Sequence, residues 1–400
     1  MDRGKLAVVL FIVTAYTGTF AFKLSMPAVA FYAKNILEAS MLGIGMLTSS
    51  FFIARATTAI LAGALTDKIK TKILFLSATG FILNAFVVEL YPYIASLPWL
   101  LFLRFLQGVL NGFAWVPIQA VLGLLVEKNI RGRVYSVYFI LGTLGSFTGN
   151  TVYSFLTSKP LSYILGISST LFLVSGLQVL GSKLLLREKT VLVASSDIKR
   201  NTVKKGLAGG ISTVFLVLPL LLIVFTSSMF GSFLKGDLIY VYLYVFQGFS
   251  ESSAPMIVGI ASLLVLPINY VMSWFSDRRD SYLALRISIL TGVIGGILLA
   301  LRNDFIAVLG LLMALAGSSS TIPITRKLAV SIKSRAGTGI GLLNTTGNLG
   351  SMLGSAVAGY VLDSLGNMYL MGLINVAMIV IVLPMIVALF FTHNIGGKHY

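Results

Sequence analysis

Gly142-Thr-Leu-Gly145-Ser-Phe-Thr-Gly149-Asn150 recurs as Gly347-Asn-Leu-Gly350-Ser-Met-Leu-Gly354-Ser355, an offset of 205 residues. Each copy sets glycines four apart, the spacing that lets two helix backbones approach closely in lipid. Two readings follow for these positions: static packing, or a smooth surface across which two halves slide. Working outward, Asn111-Gly112 through Pro117-Ile118 is echoed by Ala316-Gly317 through Pro323-Ile324 at an offset near 206, and Asp67-Lys68 by Asp277-Arg278 at 210. Three pairs in one order mark a duplicated unit, which predicts two similar bundles that rock about a site between them.

Composition says where those bundles live. Only 11% of the 400 residues are charged, against about 25% in soluble domains, and the mean hydropathy is +0.94. A globule in water must still coat itself with polar groups, so the chain is expected in a bilayer. Uncharged or nearly uncharged runs predict an all-α protein with helices at about 6–31, 40–65, 73–92, 98–124, 134–157 and 161–185. A second set is predicted at about 212–246, 254–275, 283–301, 305–329, 337–362 and 367–392, making twelve in two pseudo-symmetric six-helix bundles. The only long polar stretch, Arg187 to Lys205, separates them, so the halves are 1–185 and 212–400 with a cytoplasmic linker at 186–211. There is no cysteine, and the only histidines are His393 and His399, so no disulfide, metal site or other cofactor is expected.

A net charge of +17 would suggest nucleic acid in a soluble protein. Here sidedness explains it. With the N-terminus inside, 23 of the 30 basic residues fall in inside loops or helix ends and three, Lys34, Lys159 and Arg302, outside. That asymmetry predicts a multi-pass protein of the plasma membrane with both termini cytoplasmic, no nucleic-acid partner, and weak attraction to anionic lipid. Arg3 and Lys5 before an apolar run ending in Ala28-Val29-Ala30 mimic a signal peptide, but cleavage there would break the pairing of halves.

The same residues carry a family resemblance. Gly63-Ala-Leu-Thr-Asp67-Lys68-Ile-Lys70-Thr-Lys72 resembles the G-x-x-x-D-R/K-x-G-x-R/K loop of the major facilitator superfamily of secondary transporters, departing at Lys70, where that family has Gly. Ser273-Trp-Phe-Ser-Asp277-Arg278-Arg279 is a degenerate second copy. Arg104-Phe-Leu-Gln107-Gly108 is similar to the R-x-x-Q-G signature of helix four. Gly145 to Gly149 partly resembles the helix-five antiporter motif, with Ser146 in place of Pro and Asn150 in place of a second Gly. The resemblance implies transport by alternating access, without naming a substrate. It also implies a gate formed by Asp67 and Lys68, with Arg131 and Arg133 as further partners and Asp277 and Arg278 as the repeat. A carboxylate such as Asp67 near the start of helix eleven would gain roughly 0.3 to 1 kcal/mol from the helix dipole.

Four bases lie inside apolar helices: Lys23, Arg55, Arg104 and Lys235. Each costs about 2.5 to 3.5 kcal/mol unless it meets protein, water or ligand. Arg104 heads a stripe of Gln107, Asn111, Trp115 and Gln119 at helical spacing, and Ser228, Ser232 and Lys235 form another on helix seven. Helices one, four, seven and ten line the cavity in the resembled family, so these stripes are expected to look inward. Superposing the halves through Glu38 and Glu251 brings Lys23 and Lys235 within one position of each other, which suits an anion. The alternative for both is snorkelling to the interface. Asp237 lies two residues from Lys235 and shares its face only if Gly236 bends the helix; it would neutralise Lys235 or carry a proton.

These readings predict a monomeric transporter of a small, anionic organic solute held by Lys23, Arg104, Gln107, Asn111, Trp115, Ser232 and Lys235, with protons as coupling ion through Asp237. The second reading is a proton-coupled drug or metabolite exporter, for which Asp237, or in second place Glu89 near the outer end of helix three, would have to serve as the buried acid; the third is a non-transporting membrane sensor. No buried nucleophile, metal cluster or acid-base pair supports an enzyme, and no Walker-type motif supports direct use of ATP.

Overall fold

Apolar runs bounded by charge, glycine or proline fold into helices close to their predicted limits. The computed structural model describes residues 3–127, 130–186, 211–301, 303–332 and 336–387. Helices α1 (Arg3–Asn35), α2 (Met41–Ile69), α3 (Ile73–Leu90), α4 (Leu97–Leu125), α5 (Arg131–Leu156) and α6 (Leu161–Leu185) form the first set. The second comprises α7 (Ile211–Lys235), α8 (Leu238–Gln247), α9 (Ser253–Arg278), α10 (Ser281–Ala300), α11 (Asp304–Ile332), α12 (Ala336–Ser364) and α13 (Asn367–Ala377), the last continued by a π-helical turn at Met378–Val382. The predicted seventh helix is thus two, α7 and α8, parted at Gly236. Among the described residues nine helices are long and apolar enough to cross a membrane. The linker residues 187–210 and both histidines lie outside the described residues.

The chain divides into two compact units. One comprises Met1–Leu37, Ile53–Gly206 and Glu251–Gly259; the other comprises Glu38–Phe52, Leu207–Ser250 and Ile260–Tyr400. These follow the duplicated halves except that the Glu38–Phe52 stretch, mostly α2, clusters with the second and the start of α9 with the first.

Within the first unit α1 packs on α5 and α6, and α3 on α4 and α6. Within the second, α7 packs on α12 and α11, and α10 on α11 and α13, so three of these four pairings recur one repeat later, the fourth being α1 on α6 in the first unit and α7 on α11 in the second. The repeated glycines explain the recurring α1–α5 and α7–α12 pairs. A Cβ at Gly149 would sit 2.8 Å from the Phe20 carbonyl oxygen and 2.9 Å from the Leu24 nitrogen, and one at Gly145 would strike the Tyr16 carbonyl. One at Gly354 would lie 2.5 Å from Met229 Cα, and one at Gly350 would strike the Phe225 carbonyl. Gly145 and Gly149 therefore seat α5 on α1, and Gly350 and Gly354 seat α12 on α7, each within its own unit. A surface for sliding halves is not what these four positions face.

Polar side chains tie the bundles internally. Thr14 and Thr17 of α1 both donate to Gln178 Oε1 of α6, at 3.1 and 2.9 Å. In the second unit Gln247 Nε2 and Asn367 Nδ2 donate to the Leu299 and Ala300 carbonyls at 2.7 and 3.0 Å. These satisfy the end of α10, whose last carbonyls have no partner within their helix.

Candidate functional site

Lys235-Gly236-Asp237 is a poor helical triplet, because glycine costs backbone entropy and aspartate prefers a cap to an interior position. The helix parts there: α7 ends at Lys235, and Asp237 occupies the N-cap position of α8. The Asp237 carboxylate is 1% exposed and accepts a hydrogen bond from Thr48 Oγ1 at 2.8 Å. Thr48 Oγ1 in turn accepts from the Asp237 backbone N–H at 2.8 Å. Lys235, one residue before the glycine, is half-buried, and Ser232, a turn earlier, is buried with its hydroxyl on the Met229 carbonyl at 2.8 Å. The predicted helix-seven group is therefore gathered at one interruption, with Ser232, Lys235 and Asp237 within six residues of one another and Gly236 as the bend.

Thr48 was not legible as part of this group. It lies 189 residues from Asp237 in an apolar run, and neither spacing nor composition marks it. The α2 segment that carries it is fixed along α12. Gly45 abuts the Ser355 carbonyl, Ser49 Oγ donates to the Met352 carbonyl at 2.6 Å, and the Met41 and Leu42 amides donate to the two Asp363 carboxylate oxygens at 2.8 and 2.7 Å. Asp363 thus caps the start of α2, where unpaired amides and the helix dipole favour a carboxylate.

In the first unit the residues of the helix-four stripe lie at differing depth. Arg104 is 0% exposed; its Nη1 donates to Gln107 Oε1 at 2.8 Å and its guanidinium stands 5.9 Å from the Tyr91 ring centroid. Tyr91 Oη donates to the same Gln107 oxygen at 2.9 Å. Arg104, expected to hold solute, is sealed inside the bundle by the turn that follows α3. Asn111 is buried too. Trp115 is half-buried, edge-on to Phe81 with centroids 5.1 Å apart and against Gly18 of α1. Lys23 is half-exposed, with Nζ 3.3 Å from Met26 Sδ.

The expected gate residues sit at helix ends. Lys68, Arg133, Asp277 and Arg278 are exposed. Arg278 stacks 5.0 Å over the Trp274 ring one turn back, the posture of an interfacial base beside an aromatic anchor. The side chains of Asp67 and Arg131 lie outside what the structure describes. At the turn after Asp277 it is Asp280 that carries a structural role: its carboxylate accepts from the Tyr282 amide at 2.8 Å and caps α10.

Membrane-length helices in two packing arrangements that share three of four pairings, with charged and polar side chains held inside, define a multi-pass membrane protein. The family model of the Major Facilitator Superfamily matches residues 9–355, and the chain belongs to that superfamily. It is an MFS-type transporter, and its relatives are transporters, not enzymes. It is 24% identical over 379 residues to an uncharacterized MFS-type transporter of Methanocaldococcus jannaschii, covering 92% of this chain and 95% of that one. Among solved structures it resembles the human organic anion transporter MFSD10 (17% identity, 97% of this chain and 100% of that one, TM-score 0.66). It also resembles a POT family transporter in complex with 5-aminolevulinic acid (14% identity, 97% and 96% covered, TM-score 0.73). At these identities the structural likeness is one of fold.

Proposed function

We propose that the protein is a proton-coupled secondary transporter of a small organic anion, working by alternating access. The observation that carries the reading is the helix interruption at Gly236, with a buried carboxylate, Asp237, on one side of it and a half-buried base, Lys235, on the other, in an otherwise apolar stretch. Ionisable groups inside a membrane segment are costly and mark solute or proton paths. Asp237 serves as the proton carrier. Lys235 and its counterpart Lys23 on α1 supply the positive charge for the solute, and Ser232, Trp115, Asn111 and Gln107 shape the walls, with Arg104 holding Gln107 from behind. The gate reading stays with Asp67, Lys68, Arg131, Arg133, Asp277 and Arg278. We infer twelve crossings, α5, α12 and α13 with its extension joining the nine, in a monomer of the plasma membrane with both termini cytoplasmic. Substrate specificity resides in the side chains, so the resemblance to an organic anion transporter supports only the architecture of this reading.

Uptake by purified protein in liposomes, screened against organic anions, sugars and lipophilic cations, tests it. Saturable flux of an anion, lost in Lys235→Ala and Lys23→Ala, is expected. Flux of lipophilic cations alone, indifferent to both lysines, would replace the anion transporter with an exporter, and binding without flux would make the protein a sensor.

A further inference from the structure

Thr48 of α2 contacts Asp237, and its contacts are reciprocal. One hydroxyl donates to Asp237 Oδ2 and accepts from the Asp237 amide, both at 2.8 Å, with the two residues each 1% exposed. The approach depends on Gly236: a Cβ there would lie 2.6 Å from Thr48 Oγ1 and 2.9 Å from Thr48 Cγ2. The same stretch of α2 is seated on α12 through Gly45, Ser49 and the Asp363 cap, so whatever holds Thr48 bears on the whole segment.

We propose that Thr48 is the positioning residue that couples the protonation state of Asp237 to the seating of α2 residues 41–49. This rests on the reading that Asp237 is the proton carrier. A hydroxyl donating to an ionised carboxylate makes a charge-assisted bond, roughly twice as strong as one to a neutral group. Deprotonated Asp237 therefore holds α2 against the α7–α8 interruption, and protonation loosens it. By the same coupling the seated α2 stabilises the ionised form, so losing the hydroxyl raises the proton affinity of Asp237. The titratable groups on the packed elements are few. Lys235 stands two residues away on α7; α8 carries only the phenols Tyr240, Tyr242 and Tyr244; α11 carries Asp304 at its first residue and Arg326 and Lys327 in its last two turns; α12 carries Tyr360 and Asp363; and α2 has no charge between residues 41 and 54.

The test needs no substrate. Infrared spectra of the protein in lipid, taken across pH, report protonation of a buried carboxyl directly, and the band lost in Asp237→Asn belongs to Asp237. Thr48→Val, which keeps the shape without the hydroxyl, is expected to raise that midpoint by about one pH unit, a tenfold change in proton affinity, and Thr48→Ser to restore it. Gly236→Ala, which keeps the hydroxyl but displaces it, is expected to shift the midpoint the same way, so the test survives if Thr48→Val does not fold. Because the chain lacks cysteine, Leu42→Cys provides a single thiol on α2 whose maleimide labelling is expected to quicken as pH falls through the midpoint. That pH dependence is expected to disappear when Thr48→Val is added. An unmoved midpoint in Thr48→Val, or in Gly236→Ala where the first does not fold, overturns the proposal while leaving Asp237 as carrier. No carboxyl band assignable to Asp237 overturns both.

Discussion

Replacing Gly354 by alanine tests whether the repeated glycines set the distance between α12 and α7. The added methyl would stand 2.5 Å from Met229 Cα and 2.7 Å from its carbonyl carbon, where ordinary contact begins at 3.4 Å. The obstacle is backbone on the facing helix, which cannot rotate aside as a side chain does, so the helices must separate by about 1 Å or the chain must strain. Overpacking of this kind costs about 1 to 3 kcal/mol. Gly63→Ala and Gly372→Ala supply the contrast. Both glycines lie in helices with nothing within 4 Å of a built Cβ, and alanine there gains about 0.5 to 1 kcal/mol from reduced backbone freedom. Thermal unfolding in detergent, followed by size-exclusion chromatography of the surviving monomer, is expected to place Gly354→Ala below wild type and both controls level with it or above. Gly354→Ala unfolding with the controls would refute the argument that close backbone approach is what the repeat encodes.

Three further outcomes follow from the same geometry. Asp363→Ala removes the acceptor for the Met41 and Leu42 amides and is expected to cost about 0.5 to 2 kcal/mol in the same unfolding assay, with Asp363→Asn intermediate. Tyr242→Phe deletes a hydroxyl that lies 2.8 Å from the Leu299 carbonyl, which Gln247 still serves, and 2.7 Å from Asn367 Oδ1, which loses this donor, so a loss of about 0.5 to 1.5 kcal/mol is expected. Single thiols introduced by Lys159→Cys and Arg279→Cys, both at exposed positions, are expected to react with a membrane-impermeant maleimide in intact cells at 159 and not at 279; the reverse pattern would invert the proposed orientation.

How much of this was readable in advance depended on whether the physics is local. Helix limits were, because an apolar run ends where charge, glycine or proline makes lipid or the helix unfavourable; α6 was expected at 161–185 and spans those residues. The interruption in helix seven was also foreshadowed by Lys235-Gly236-Asp237. The duplicated glycines announced close packing but not their partner, since a sequence names the small face of a helix and not what covers it. Arg104 shows the limit most clearly. Its helical spacing marked a polar stripe, but its contact with Tyr91, thirteen residues away on the turn after α3, and its complete burial belong to the fold. Thr48 and Asp363 were invisible because each acts on a helix remote in sequence, and neither hydroxyl nor carboxylate stands out until the fold brings them together.

The most direct test of the central claim is proton movement during solute flux, read with a pH dye inside liposomes containing the wild type or Asp237→Asn. The account predicts that an organic anion drives a pH change in the wild type, and that Asp237→Asn moves no protons even where anion exchange persists. Proton movement retained in Asp237→Asn would contradict it.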